Sequence, residues 1–186
     1  LISILIGSLW TGSFFHPAYG VTEPPAIMGS TACVMDLATG TVIYDKDMHG
    51  VRPPASTTKM MTALLVLENL PLDTQVIIDS EVVNTGGNTL AFKDGEIISV
   101  EDLMYGMLLY SANDAAVALA KQVAGSVPNF AEMMNQRAQE LVAMHTTFQN
   151  PHGLTEEGHV STAYDLALIA RAAMGNEMFR EMVKTD

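Results

Sequence analysis

The chain has 186 residues, 48% of them apolar and 16% charged, enough to fill a substantial core and too apolar for a disordered or fibrous chain. Its 9 basic residues stand against 21 acidic ones, a formal net charge of -12, so the basic face that a nucleic-acid partner requires is lacking. Cys33 is the single cysteine, which excludes an internal disulfide, a zinc ribbon and an iron–sulfur site.

In chain order, the first feature is an uncharged apolar run from Leu1 to Trp10, followed by small residues at Ala18 and Gly20. This pattern predicts the core and cleavage region of a secretory signal over residues 1–20, with its basic start missing. The run is shorter than the roughly 20 apolar residues needed to cross a bilayer. A buried strand or helix of the folded domain is the competing interpretation. Pro24-Pro25 marks the boundary with a domain over residues 21–186, and the protein is expected to be exported to the cell envelope.

Ser30 to Met35 and Thr41 to Lys46 flank Ala38-Thr39-Gly40 and predict a hairpin. Cys33, in the first of these strands, is expected to be a small buried core residue. Ser56 to Leu67 predicts a helix that is apolar on nearly every side and so lies in the middle of the domain. Gln75 to Ile78 and Glu96 to Ile98 are short extended pieces around a Gly86-Gly87-Asn88 loop. Ser99 and Asp102 have capping-box spacing before a helix. Asp114 is placed to cap a second helix that Gly125 ends. Pro128 opens a third, to about Met144, and Thr162 or Ser161 caps a fourth that ends before Gly175. Asn176 to Lys184 predicts a short last helix. One hairpin makes a marginal sheet, so its partner strands are expected beyond Asp186 or from another chain.

Two clusters carry chemistry. In Ser56-Thr57-Thr58-Lys59, serine and lysine share one face at the start of the buried helix. A helix N-terminus disfavours a cation by roughly 0.3–1 kcal/mol, and burial disfavours it further. Both push Lys59 towards the neutral amine, which can take a proton from the Ser56 hydroxyl. The competing interpretation is a serine cap beside a lysine reaching for water, and the spacing alone does not separate the two. In Tyr110-Ser111-Ala112-Asn113, a second hydroxyl and an amide fall between two helices, where Ser111 can relay a proton and Asn113 can hold a substrate amide and orient the lysine. Ordinary turn chemistry uses the same residues. His145, His152 and His159 recur every seven residues, but Pro151 and Gly153 break the helix that would align them, so no metal site is expected. His152 and His159 are expected to stabilise a loop, and Glu156 and Glu157 to be solvated.

Taken together, four stretches are informative: Pro54-Ala55-Ser56-Thr57-Thr58-Lys59-Met60-Met61-Thr62-Ala63, Ser111-Ala112-Asn113-Asp114-Ala115-Ala116, Asn150-Pro151-His152-Gly153-Leu154 and Ser161-Thr162-Ala163-Tyr164-Asp165-Leu166-Ala167. In this order they resemble the serine D-Ala-D-Ala carboxypeptidases, the low-molecular-mass penicillin-binding proteins, over about Ile27 to Asp186. The resemblance implies an α+β fold of the β-lactamase/DD-peptidase type, with a helical subdomain and an antiparallel sheet that is incomplete here. It implies removal of the terminal D-alanine from peptidoglycan stem peptides through an acyl-serine, and acylation by β-lactams. Ser56 would be the nucleophile, Lys59 its base, Ser111 the proton shuttle and Asn113 the substrate-binding amide, with no metal or cofactor. A C-terminal amphipathic membrane anchor is common among such relatives. The pattern departs from the family at its third motif, Lys-Thr-Gly, where the only match is Lys184-Thr185-Asp186. That motif is expected beyond Asp186, leaving this segment with half a catalytic cleft and low activity of its own. A β-lactamase-like hydrolase, or a non-catalytic peptidoglycan-binding relative, is the alternative on the same scaffold.

Overall fold

A computed structural model describes residues 24 and 26–185. The residue 1–20 signal segment, Pro25 and Asp186 lie outside the described residues. The elements are strands β1 (Ala32–Met35) and β2 (Val42–Lys46), a 3-10 turn (Ala55–Thr58), helix α1 (Lys59–Asn69), β3 (Gln75–Ile77), α2 (Ser80–Val83), β4 (Ile97–Ser99), and helices α3 (Val100–Leu109), α4 (Asn113–Ala124), α5 (Val127–Glu140), α6 (Ala163–Gly175) and α7 (Glu177–Val183). Among the described residues the architecture is α+β, with two antiparallel two-stranded sheets attached to a helical body.

Helix α1 is the centre of that body. Its sequence offers apolar side chains to all sides, and it touches α3, α4, α5, α6 and α7. Met61, Ala63, Leu64, Leu65 and Val66 are buried along it, in one core cluster with Met104 and Met107 of α3 and Leu119 of α4. Methionine suits this role because its unbranched thioether fills irregular gaps. Helix starts follow local side-chain chemistry: the Ser99 hydroxyl accepts from the Asp102 amide, Ser126 from Asn129, Thr162 from Asp165 and Asn176 from Phe179.

The hairpin pairs Ala32 with Lys46 and Val34 with Tyr44. Its turn is closed by the Asp36 carboxylate, which accepts from the Thr39 amide and hydroxyl at 2.7 and 2.6 Å. Arg171 of α6 donates to the Leu37 and Ala38 carbonyls at 2.9 and 3.1 Å, fixing the hairpin to the helices. Ile43 on β2 remains 69% exposed, so this strand has an apolar side chain that nothing among the described residues covers.

Several expectations are corrected. The two short extended pieces pair with each other, Gln75 with Ser99 and Ile77 with Ile97; three-residue strands so far apart in sequence carry too little pattern to reveal a partner. Ser56 does not sit on the long helix but on the 3-10 turn before it, and it caps nothing. Asp114 is not the N-cap of α4, which is Ala112 without a side-chain cap bond; its carboxylate accepts from the Ala115 N–H in the first turn at 2.9 Å and also reaches another loop. Helix α5 stops at Glu140, where Val142 adopts φ 62, well short of Met144. Cys33 is only half-buried, because β1 lies at the surface beside α6.

Leu119 is fully buried in the middle of α4. Leu119→Ala is expected to lower the unfolding free energy by about 2–5 kcal/mol, the range for cavity-forming core substitutions. Urea denaturation measures this, and a loss below ~1 kcal/mol would show that α4 is not packed as described.

Candidate active site

The start of α1 is built on a constrained approach. Arg52 exchanges backbone hydrogen bonds with Ser161 at 2.8 and 2.9 Å, which holds the segment leading into the 3-10 turn. Ala55 then takes φ 48, in the left-handed region, and Ser56 follows on the turn with its residue exposed. Gly153 makes this path feasible. Its φ is +92, and a Cβ there would fall 1.8 Å from the Ala55 carbonyl oxygen.

Lys59, the first residue of α1, is 3% exposed. There is no acidic residue in the first turn, and no carboxylate bonds its ammonium. Its Nζ donates instead to Asn113 Oδ1 and to the His152 carbonyl oxygen, each at 2.8 Å. Both acceptors are neutral, so they satisfy the N–H groups without supplying a counter-charge. Burial pulls the Lys59 pKa down from 10.5 to about 8. About one tenth of the amine is then neutral at pH 7. A neutral amine has two N–H donors and one lone pair. With both donors engaged, the lone pair is what remains for a proton.

Asn113 is buried at the first position of α4 and is tied on three sides. Its side-chain oxygen takes Lys59, its Nδ2 donates to the Gly86 carbonyl at 2.9 Å, and its backbone N–H donates to the Asn88 carbonyl at 2.7 Å. Gly87, at φ +81, allows this approach, since a Cβ there would lie 2.5 Å from Asn113 Nδ2. The loop is locked from behind by Asp114, which is 2% exposed. The Asp114 carboxylate accepts from the Leu90 N–H at 2.9 Å and from the Ala91 N–H at 3.0 Å. Asn88 in turn donates to the Tyr110 carbonyl, the residue before Ser111. Ser111 has φ 59 and is half-buried.

Ser56, Lys59 and Ser111 line one cleft of about 490 Å³, with Met60, Met107, Leu108 and Phe179 as its apolar wall. The structure thus brings three of the four sequence-selected residues to the cleft surface. The fourth, Asn113, stands behind Lys59. The Lys59 backbone N–H donates to the Ser56 carbonyl, while among the described residues no side-chain hydrogen bond joins the Ser56 hydroxyl to the Lys59 amine. Lys184 is exposed, bonds Glu181 at 2.8 Å and lies outside this cleft, so the third-motif position is not supplied here.

Glu156 and Glu157 are exposed loop residues, although Glu156 Oε2 accepts from Asn150 at 3.2 Å. His152 and His159 stabilise their loop: His152 Nδ1 accepts from the Leu154 N–H at 3.1 Å and His159 Nδ1 from the Gln149 N–H at 2.9 Å. Burial and the nearby Lys59 hold the His152 ring at a pKa of about 4, so it is neutral at pH 7. His145 ends elsewhere, beside His49 and Asp165, and no cluster of metal-ligating side chains forms among the described residues. Asp165 is buried and accepts from the His145 N–H and the Thr146 hydroxyl, which anchors the fourth sequence stretch structurally.

The sequence profile described as D-alanyl-D-alanine carboxypeptidase (peptidase S11) matches residues 19–185. The chain belongs to this family. It is 34% identical over 190 residues to the D-alanyl-D-alanine carboxypeptidase DacF of Bacillus subtilis, covering 100% of this chain and 49% of DacF. It is 38% identical over 168 residues to DacD of Escherichia coli, covering 83% of this chain and 43% of DacD. The crystal structure of a D-alanyl-D-alanine carboxypeptidase from Mycobacterium tuberculosis matches with TM-score 0.83 at 35% identity, over 88% of this chain and 62% of that one. Penicillin binding protein 6B from Escherichia coli matches with TM-score 0.80 at 35% identity, over 87% of this chain and 55% of that one. The chain therefore spans about half the length of the curated relatives it matches, and the fold is that of the DD-peptidases.

Gly153→Ala is expected to destabilise the protein by more than ~1 kcal/mol, because alanine at positive φ costs more than the entropy it removes from the unfolded chain. The displaced Ala55 also carries Ser56, so labelling of Ser56 by an active-site acylating agent should fall at temperatures where the variant remains folded. Unchanged stability and labelling would show that the loop is free to move away.

Proposed function

We propose that this chain is the nucleophile-bearing part of a serine DD-carboxypeptidase that removes the terminal D-alanine from peptidoglycan stem peptides and is acylated by β-lactams. The observation that carries this is the single cleft lined by Ser56, Lys59 and Ser111, with a lysine held by neutral acceptors only. Family membership supports the reaction class, and the D-alanyl-D-alanine carboxypeptidase relatives support the substrate.

In the proposed mechanism the neutral Lys59 amine takes the Ser56 hydroxyl proton as Oγ attacks the carbonyl of the penultimate D-alanine. Backbone N–H groups at the start of α1 favour the oxyanion. Collapse expels the terminal D-alanine as its amine, which receives a proton through the Ser111 hydroxyl. Relay of that proton leaves Lys59 neutral again, so it takes a proton from the water that attacks the acyl-serine and passes it to Ser56 Oγ as the acid product leaves. Asn113 keeps the lysine aimed through Oδ1, while its Nδ2 is held by the Gly86 carbonyl and not by the cleft. The segment that binds the substrate carboxylate is not part of this cleft wall. The protein acts outside the cytoplasmic membrane, where its substrate is built into the wall, and the residue 1–20 segment serves as the export signal. No helix among the described residues is long and apolar enough to cross a membrane.

Fluorescent penicillin applied to the full-length gene product should add one acyl group at Ser56, seen by intact-mass spectrometry and lost in Ser56→Ala. An adduct that persists in that variant overturns the assignment. Lys59→Ala should slow acylation by a factor on the order of 10²–10⁴, as expected for losing a general base. The pH profile follows from the sign of the Lys59 shift. Below its pKa of about 8 the amine is protonated and cannot accept, so acylation should rise with pH towards 8 and level off above it. A profile that is flat from pH 6 to 9 would show that another group takes the proton.

A further inference from the structure

The mechanism leaves one buried ring unused. His159 is 2% exposed, lies edge-on to Phe148 at a centroid distance of 5.8 Å, and comes from the far end of the 149–159 loop. Its two nitrogens have different partners. Nδ1 faces the Gln149 backbone N–H at 2.9 Å, and Nε2 faces the Thr58 hydroxyl at 2.9 Å. A backbone amide can only donate, so Nδ1 must carry the lone pair. The ring is therefore the Nε2–H tautomer, and it donates to Thr58 Oγ1. Thr58 is fully buried and lies between Ser56 and Lys59 on the 3-10 turn.

We infer that His159 is a positioning residue for the acylation step: as the neutral Nε2–H tautomer it grips Thr58 and so holds the Ser56–Lys59 turn in register with the loop whose His152 carbonyl holds the lysine. Three further contacts run along the same seam. Thr62 donates to the Pro151 carbonyl at 2.6 Å, Lys59 to the His152 carbonyl at 2.8 Å, and Gly153 lies against the Ala55 carbonyl. Of these four contacts between the loop and the helix start, only the His159–Thr58 bond acts on the turn between nucleophile and base, where Thr57 also donates to the Pro54 carbonyl. An imidazolium would set two donors, Nδ1–H and the Gln149 N–H, against each other. The titratable groups whose charges reach the ring are Glu156 and His152, both from its own loop. Burial outweighs the Glu156 charge and moves the His159 pKa below its usual value.

This inference rests on the proposed acyl-serine reaction, and the test separates the two. In the full-length gene product, Thr58→Val removes the hydroxyl at nearly constant shape, while Thr58→Ser retains it. Thr58→Val should slow the acylation step by about tenfold with non-covalent penicillin affinity unchanged; a misplacement of about 1 Å can cost on the order of 10²-fold. Thr58→Ser should restore the rate. The double variant with His159→Leu should be no slower than the slower single, because the bond that Thr58→Val removes is already lost in His159→Leu, together with the Gln149 bond. Wild-type acylation in Thr58→Val, or effects that multiply in the double variant, overturn the inference. If His159→Leu does not fold, the Thr58 pair decides. Long-range proton–nitrogen spectra of wild type at pH 7 give a readout without activity: a neutral Nε2–H ring supports the inference, and an imidazolium or Nδ1–H ring overturns it. Absence of any acyl adduct in wild type would overturn the proposed reaction instead, and the spectra would still decide the tautomer.

Discussion

The site depends on a lysine ammonium taken out of water without a carboxylate to meet it. Burying an unpaired charge is among the most costly things a fold can do, and the usual response is to lose the charge. Asn113 Oδ1 and the His152 carbonyl hold Lys59 by hydrogen bonds that suit an amine as well as an ammonium. Had either acceptor been an aspartate, the pair would have kept the lysine charged. The neutral partners make the position unfavourable for structure and suitable for a base. The same choice explains why Asn113 is tied on three sides, since an amide left to rotate would offer its NH2 group to the lysine.

Strain gathers around this lysine. Three of the five non-glycine residues with positive φ among the described residues are Ala55, Ala91 and Ser111. Each adjoins the cleft lined by Ser56 and Lys59 or the loop that braces Asn113. Such backbone persists only when its surroundings over-determine it. Ala55 is held by the Arg52–Ser161 bridge and by Gly153; Ala91 is held by the Asp114 carboxylate; Ser111 is followed by a bond from the Ala112 N–H to the Gly106 carbonyl at 3.2 Å. The stretches around Asn150 and Ser161 therefore act at one remove, as the frame on which the serine and the lysine are set.

Much of this was legible before any coordinates. The hairpin, the central apolar helix and five later helices follow from periodicity and caps, and Ser56, Lys59 and Ser111 stand out through their side-chain chemistry taken together with the resemblance of four sequence stretches to a known family. Other features were hidden for physical reasons. The β3–β4 pair depends on two three-residue strands separated by a loop and a short helix, below the length at which alternation is readable. Asp114 has the composition of a helix cap and sits where a cap belongs, yet tertiary packing turns it to the Leu90 and Ala91 amides. Local preference supplied one partner for it, and a loop more than twenty residues away in sequence supplied a better one.

The sequence by itself determined which residues carry reactive groups, that one lysine begins a helix with no acid beside it, and that this helix is too apolar to lie at the surface. Those properties depend on side-chain chemistry and on neighbours within a turn or two. Only the tertiary structure decided what the lysine touches, which face of Asn113 meets it, and which nitrogen of His159 bears the proton. Such contacts join segments 54 to 101 residues apart, whose approach is set by the packing of whole helices and not by local spacing.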